Sequence, residues 1–160
     1  MGMDRHRSGM TRYFEDIAVG ETDRFGEYDV TKEEIVAFAE RWDPQPFHLD
    51  EDEAEDSMFG GLVASGWHTA CICMRLMVDG YLDDAASMGS PGIDELRWLE
   101  PVRPGDVLSV RVEVLDKRAS EGLPGAGIVQ NEWLVEDGDG TPKMRMESPG
   151  FIAMRDGGEG

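Results

Sequence analysis

Residues 59–82 read FGGLVASGWHTACICMRLMVDGYL, the most apolar stretch of the chain, and this stretch decides the fold. A helix is predicted to begin at about Leu62 or Gly66, after two glycines that break the preceding element, and to run to the end of the stretch. Charged side chains at Arg75 and Asp79 exclude a membrane span and indicate a buried helix. Because its apolar residues lie on all sides, we expect other elements to cover most of this helix.

The sequence after the helix alternates between apolar and polar residues, which is typical of half-buried strands. A first strand is predicted upstream of the helix, within residues 14–30. The strands predicted downstream are Ile93–Leu99, Val107–Val114, Ile128–Val135 and Pro142–Ile152, with a hairpin turn at 137–140. One long helix against one curved antiparallel sheet is an α+β fold.

A shorter helix is predicted from Thr31, where Thr31-x-x-Glu34 matches a capping box, to Asp43. The next segment, WDPQPFHLDEDEA at 42–54, carries two prolines, which fix their own φ and push the preceding residues toward extended geometry. Asp43 and His48 are therefore held on one stiff loop. A carboxylate and an imidazole at a fixed separation can share one water and move protons near neutral pH.

The start of the long helix offers a third chemical group. A backbone N–H at a helix N-terminus can stabilise negative charge that develops on a carbonyl oxygen, and Gly66 is the candidate donor. Each residue also has a simpler explanation: Asp43 as a turn or cap residue, His48 as a satisfied buried histidine, and Gly66 as a packing glycine. Only the order and spacing of all three favour a functional site.

The sequence also predicts where the four tryptophans and two further polar residues lie. We expect Trp42 and Trp67 to shape a pocket wall beside the pair Asp43 and His48. Trp98 and Trp133 are expected to lie in the core. Ser65 and His68 are predicted to be structural or to line the substrate site.

Composition restricts the class of protein. The 160 residues suit one domain, predicted at 13–154, with disordered tails at 1–12 and 155–160. The net charge of −19 disfavours nucleic acid and anionic membranes as partners. Cys71 and Cys73 match no metal or redox spacing and are predicted to be buried thiols. The start lacks a secretory signal, so a cytoplasmic location is expected.

The charge has two explanations. A surface rich in carboxylates, with only three lysines among its basic residues, suits a halophilic cytoplasm at molar salt, where repulsion is screened within about 3 Å. An ordinary acidic protein is the alternative, and neither explanation identifies a reaction.

Four motifs resemble those of the MaoC-like dehydratase family, which includes the (R)-specific enoyl-CoA hydratases. They are FAERWDPQPFHLD at 38–50, FGGLVASG at 59–66, GIDELRW at 92–98 and PVRPGD at 101–106. The first motif departs from the family's usual Gly-Asp-x-Asn-Pro-x-His, because Trp42 replaces the glycine and Gln45 the asparagine. Ser65 stands where the family often has histidine. The Asp43–His48 pair is intact, and the substrate preference stays open.

The resemblance implies a hot-dog fold, in which the sheet wraps the central helix, and a homodimer with active sites near the subunit interface. It implies an acyl thioester of coenzyme A or of an acyl carrier protein as substrate. Asp43 and His48 would then be catalytic, and the Gly66 N–H would contact the thioester carbonyl. Residues predicted to bind substrate are Gly66, Ser65, Gln45, Trp42, Phe47 and Trp67.

The predicted reaction is reversible hydration of a 2-enoyl thioester, which needs no metal and no redox cofactor. Two alternatives remain, an acyl-CoA thioesterase on the same fold and a non-catalytic subunit that binds acyl thioesters. Because coenzyme A is polyanionic, a local basic patch is also expected. Its candidate members are Arg97, Arg103, Arg111, Lys117 and Arg118.

Overall fold

A single antiparallel sheet forms the frame of the computed structural model, which describes residues 10–158. Its strands are β1 (Thr22–Asp29), β2 (Ser87–Gly89), β3 (Glu95–Trp98), β4 (Val107–Ala119), β5 (Ala126–Glu136) and β6 (Pro142–Ala153). They are ordered β1-β4-β5-β6-β2, and β3 also pairs with β6. The three long strands β4, β5 and β6 are consecutive neighbours, as short hairpin connections dictate.

The helices lie between β1 and β2 in the chain. They are α1 (Lys32–Trp42), α2 (Pro46–Leu49), α3 (Glu51–Glu55) and α4 (Gly66–Gly80). Short 3-10 turns lie before β1 at Phe14–Asp16, after α4 at Leu82–Asp84 and after β6 at Arg155–Gly158. Thr31 caps α1 by accepting a hydrogen bond from the Glu34 N–H. The Glu34 carboxylate accepts from the Tyr28 hydroxyl.

The core lies between α4 and the concave face of the sheet. Alternate residues of β4 point inward, and Leu108, Val110 and Val112 are almost completely buried. They meet Ile72 and Leu76 on α4 in one hydrophobic cluster. A sheet wrapped around a central helix is the hot-dog arrangement, so the predicted α+β fold is confirmed.

The prediction that α4 is covered on most sides is wrong for the chain alone. Trp67, Met74 and Val78 are 59%, 48% and 40% exposed, and Cys71 is exposed as well. Cys73 faces the core as expected. The sheet covers one side of the helix. Because apolar residues lie on both sides of α4, the sequence does not show which side faces the sheet.

Trp98 is a second correction. Trp133 lies in the core as predicted, but Trp98 is 47% exposed at the end of β3. Among the described residues β3 pairs with β6 alone, and the Trp98 side chain reaches the beginning of α4.

The ends of the chain differ in part from the expectation. Residues 1–9 and 159–160 of the predicted tails lie outside the described residues. At the inner edges of those tails, Arg12 bridges to Ala85 and pairs with Glu21, and Arg155 pairs with Asp16. The strand β2 was not predicted, because its three residues show no apolar alternation.

Candidate active site

A buried segment, residues 62–65, leads directly into α4 and is hydrogen-bonded to the proline-rich loop. All four of its residues are buried. The Val63 N–H donates to the Phe47 carbonyl at 3.3 Å, and the Ala64 N–H donates to the Val102 carbonyl at 2.9 Å. The segment is thereby fixed to α2 on one side and to the loop before β4 on the other.

Asp43 and His48 face each other beside this segment, where His48 contacts Val63 and Asp43 contacts Ser65. Asp43 follows the last turn of α1, and His48 lies in the single turn of α2, which Pro46 begins. The prediction of a loop is therefore wrong at 46–49, because proline suits the first position of a helix. His48 Nε2 lies 3.3 Å from Asp43 Oδ2. The predicted pairing of the two side chains is therefore present in the structure.

The protonation of the imidazole follows from its other contact. His48 Nδ1 lies 2.6 Å from the Val63 carbonyl oxygen, and a carbonyl oxygen can only accept. Nδ1 therefore carries a proton, and in the neutral ring Nε2 presents its lone pair toward Asp43.

Ser65 and Gln45 hold the carboxylate. The Ser65 hydroxyl donates to Asp43 Oδ2 at 2.7 Å, and Gln45 Nε2 donates to Oδ1 at 2.6 Å. Partial burial alone would raise the pKa of Asp43, but these two hydrogen bonds and the neighbouring His48 outweigh it, and the pKa is lowered. Asp43 is therefore ionised at neutral pH.

Gly66 is the first residue of α4, and Ser65 is its cap, accepting from the Trp67 N–H at 3.3 Å. The N–H of a first helical residue has no partner within the helix. On the other side, the Gly66 carbonyl accepts from the Trp98 indole N–H at 2.9 Å. The structure thus places Gly66 next to Ser65, which contacts the dyad directly.

Each of the remaining predicted binding residues is a chain neighbour of a residue of this centre. Phe47 packs edge-on against the His48 ring, with 4.5 Å between ring centroids. Trp67 lies edge-on to Trp98 at 5.2 Å. Trp42 is exposed, with the Arg41 guanidinium 5.2 Å from its ring centroid.

His68 is not part of the dyad. Its ring is buried and stacks on Phe38 at 4.7 Å between centroids. Burial lowers its pKa, although the nearby Glu34 acts in the opposite direction.

The basic residues proposed for a carrier are mostly engaged elsewhere. Arg97 pairs with Glu95, Arg103 donates to the Phe59 carbonyl, and Lys117 donates to the Phe14 carbonyl. Arg111 lies in β4, opposite Arg24 of β1. Within the part of the chain that the structure describes, no contact of these residues identifies a phosphate site.

Within residues 10–158, no group of three or more His, Cys, Asp or Glu is placed to bind a metal. In the same range, no helix is long and apolar enough to cross a membrane.

Known proteins are similar to this chain in both fold and sequence. A family model described as the MaoC like domain matches residues 16–135. The 3-hydroxybutyryl-CoA dehydratase of Methylorubrum extorquens is 32% identical over 155 residues, which cover 91% of this chain and 93% of that protein.

Solved structures agree. The MaoC-like dehydratase from Rhodospirillum rubrum superimposes with a TM-score of 0.80 at 39% identity, covering 90% of this chain and 98% of that one. The unliganded (R)-hydratase PhaJ1 from Pseudomonas aeruginosa has a TM-score of 0.71 at 22% identity, covers 89% and 86% of the two chains, and shows the fold alone. Because the family model matches most of the chain and the 3-hydroxybutyryl-CoA dehydratase is 32% identical to it, the chain belongs to the MaoC-like dehydratase family.

Proposed function

We propose that the chain is a hydro-lyase that reversibly hydrates 2-enoyl thioesters to 3-hydroxyacyl thioesters, with the acyl group on coenzyme A or on an acyl carrier protein. Membership of the family supports a hydratase or dehydratase, and a relative at 32% identity is named as one. The observation that carries the proposal is the 3.3 Å approach of His48 Nε2 to Asp43 Oδ2, with Nδ1 fixed as a donor on the other side of the ring.

His48 Nε2 and the Asp43 carboxylate are two hydrogen-bond acceptors close enough to bind the same water molecule. With Nδ1 protonated, Nε2 and the Asp43 carboxylate both accept, so a single water can donate one hydrogen to each. Its oxygen then points its lone pairs away from the protein and toward a bound substrate. This arrangement prepares the water as a nucleophile before the reaction begins.

The proton balance follows from these positions. As the water oxygen bonds to C3 of the enoyl group, Asp43 accepts one of its protons, and its lowered pKa keeps it ionised and ready to do so. The same proton then passes from Asp43 to His48 Nε2, 3.3 Å away, and from Nε2 to C2, so both side chains return to their starting state and the sum is the addition of one water. The reverse sequence eliminates water from the 3-hydroxyacyl thioester.

Charge develops on the thioester oxygen when C3 is attacked. The Gly66 N–H is the proposed donor to that oxygen, since it begins α4 and carries the partial positive charge of the helix N-terminus. A single donor of this kind is typically responsible for a factor of ~10²–10³ in rate. Trp42, Gln45, Phe47 and Trp67 are proposed to line the acyl group, and Ser65 to hold Asp43 toward it.

We also propose that two copies form a homodimer in the cytoplasm. The exposed apolar face of α4, which consists of Trp67, Cys71, Met74 and Val78, supports this proposal. The same face begins at the candidate site, next to Gly66.

The experiment is a hydration assay that follows the absorbance of the enoyl thioester band over short, long and branched coenzyme A substrates. Asp43→Asn and His48→Ala are expected to reduce kcat by at least ~10²–10⁴, because each removes an acid–base group. Asp50→Asn is the matched control on the same loop, since asparagine still caps α3.

Three results would contradict the proposal. Wild-type rates in the Asp43 or His48 variants would remove the dyad from the mechanism. Thiol release without hydration, read with a thiol-reactive dye, would identify a thioesterase. Stabilisation of the fold by enoyl thioesters without any turnover would identify a binding subunit.

A further inference from the structure

The Trp98 indole occupies the space where a side chain at Gly66 would lie. A Cβ built on Gly66 would be 2.3 Å from Trp98 Cε2 and 2.6 Å from Nε1, closer than real contacts allow. Glycine at this position is therefore required by the tryptophan, whatever the substrate requires. In turn, the indole N–H donates to the Gly66 carbonyl at 2.9 Å.

The first peptide group of α4 is held at both ends. Its carbonyl, from Gly66, accepts from Trp98, and its N–H, from Trp67, donates to the Ser65 hydroxyl. That hydroxyl in turn donates to Asp43. One series of hydrogen bonds therefore runs from the end of β3, through the start of the central helix, to the carboxylate.

Burial within the chain does not explain this arrangement. Trp98 is 47% exposed, so its ring contributes much less to the core than Trp133, which is 2% exposed. Its position is fixed by the backbone of β3, where it pairs with Met144 of β6, and by the edge-on contact with Trp67. Trp98 also lies close to Gly66 and donates a hydrogen bond to its carbonyl.

Gly66 needs such a contact because of its own freedom. A glycine adopts a much wider range of φ and ψ than other residues, and small rotations redirect its N–H. A donor to a developing oxyanion must point at one position, and a displacement of about 1 Å can cost ~10²-fold in rate. The indole restricts Gly66 by a hydrogen bond on one side and by contact with its Cα on the other.

We propose that Trp98 is a positioning residue, which fixes the direction of the Gly66 N–H through its hydrogen bond to the Gly66 carbonyl and its contact with the Gly66 Cα. This inference rests on the proposed hydration of enoyl thioesters. Trp98 acts through Gly66 and needs no contact of its own with the substrate.

The test replaces the indole N–H while keeping an aromatic ring. Trp98→Phe is expected to reduce kcat about tenfold, less than the loss of an entire oxyanion donor, because Gly66 itself remains. The KM and the inhibition constant of a saturated acyl-coenzyme A, which has no enoyl group to activate, are expected to change less than about threefold. Ground-state binding of the thioester should change little, because the hydrogen bond from the Gly66 N–H to the thioester oxygen strengthens in the transition state.

Trp133→Phe is the matched control. It also removes an indole hydrogen bond, from Nε1 to the Ser148 hydroxyl at 3.1 Å, but in the core. It is expected to lower the melting temperature and leave kcat within about twofold of wild type. Should Trp98→Phe fail to fold, a benzothiophene analogue of tryptophan at position 98 removes only the N–H, and the same kcat loss is expected.

The outcomes separate the two proposals. If the wild type does not hydrate any enoyl thioester, the proposed function fails. If the wild type is active and Trp98→Phe keeps its kcat, the positioning role is wrong. A parallel loss of kcat and of affinity for the saturated thioester would make Trp98 part of the substrate-binding wall and would also overturn the inference.

Discussion

Ser65 joins the candidate catalytic carboxylate to the central helix. Its hydroxyl donates to Asp43 and also accepts from the Trp67 N–H, so one side chain serves as a partner of the dyad and as the cap of α4. The residue is completely buried, which protects both hydrogen bonds from competition by water.

Replacement of Ser65 by alanine tests the first of these roles. Without the hydroxyl, the pKa of Asp43 should rise, because one of the hydrogen bonds that favour its ionised form is lost. The acidic limb of kcat/KM should therefore move to higher pH. Ser65→Thr keeps the donor and serves as the control, and an unchanged acidic limb in Ser65→Ala would contradict the assignment.

The same variant changes stability, and the sign can be worked out. Because folding lowers the pKa of Asp43, its ionised form stabilises the native state fully above the ordinary value of about 3.9, and this contribution is lost as the pH falls through the lowered value. Loss of the helix cap costs about 1 kcal/mol at any pH. The stability difference between Ser65→Ala and wild type should therefore be larger at pH 7 than at pH 3, measured by chemical denaturation.

At the scale of the element, α4 has two unlike sides. Ile72, Cys73 and Leu76 are buried against the sheet, whereas Trp67, Met74 and Val78 are exposed. Exposed apolar residues that follow one another at helical spacing are typical of an interface. A second copy of the chain is the partner that the homodimer proposal requires.

The prediction is that Met74→Glu and Val78→Glu convert the dimer to a monomer, because each would place a charge in an apolar interface. Sedimentation velocity measures the change. Val19→Glu is the control, since Val19 is also exposed but lies in a turn outside α4. A monomeric wild type, or Glu variants that remain dimeric, would exclude this face of α4 as the interface.

The sequence predicted most elements, because each has a local signal. The cap at Thr31, the glycines before α4 and the alternation in β4 all act within a few residues. The Asp43–His48 pair was predicted for the same reason, since two prolines fix the loop between them. The contact of Ser65 with Asp43 joins residues 22 positions apart and that of Trp98 with Gly66 joins residues 32 apart, so no local pattern reports either of them.

At the scale of the molecule, charge is the dominant feature. The 34 acidic side chains outnumber the 15 basic ones, so even complete pairing would leave 19 carboxylates in excess. Several arginines are already paired with carboxylates. These are Arg12, Arg24, Arg75, Arg97, Arg145 and Arg155. The excess is locally dense in α3, where Glu51, Asp52, Glu53 and Glu55 follow one another with only Ala54 buried between them.

Such an excess opposes folding through repulsion, and salt should relieve it. The screening length falls from about 10 Å at 0.1 M to about 3 Å at 1 M salt, so the melting temperature and kcat/KM should both rise over this range of potassium chloride. A variant that carries Asp52→Asn, Glu53→Gln and Glu55→Gln should respond less steeply, because three repelling charges are absent, while Lys32 keeps its partner Glu51. A melting temperature that does not change with salt, or an equal slope in the variant, would favour an ordinary acidic protein over a halophilic one.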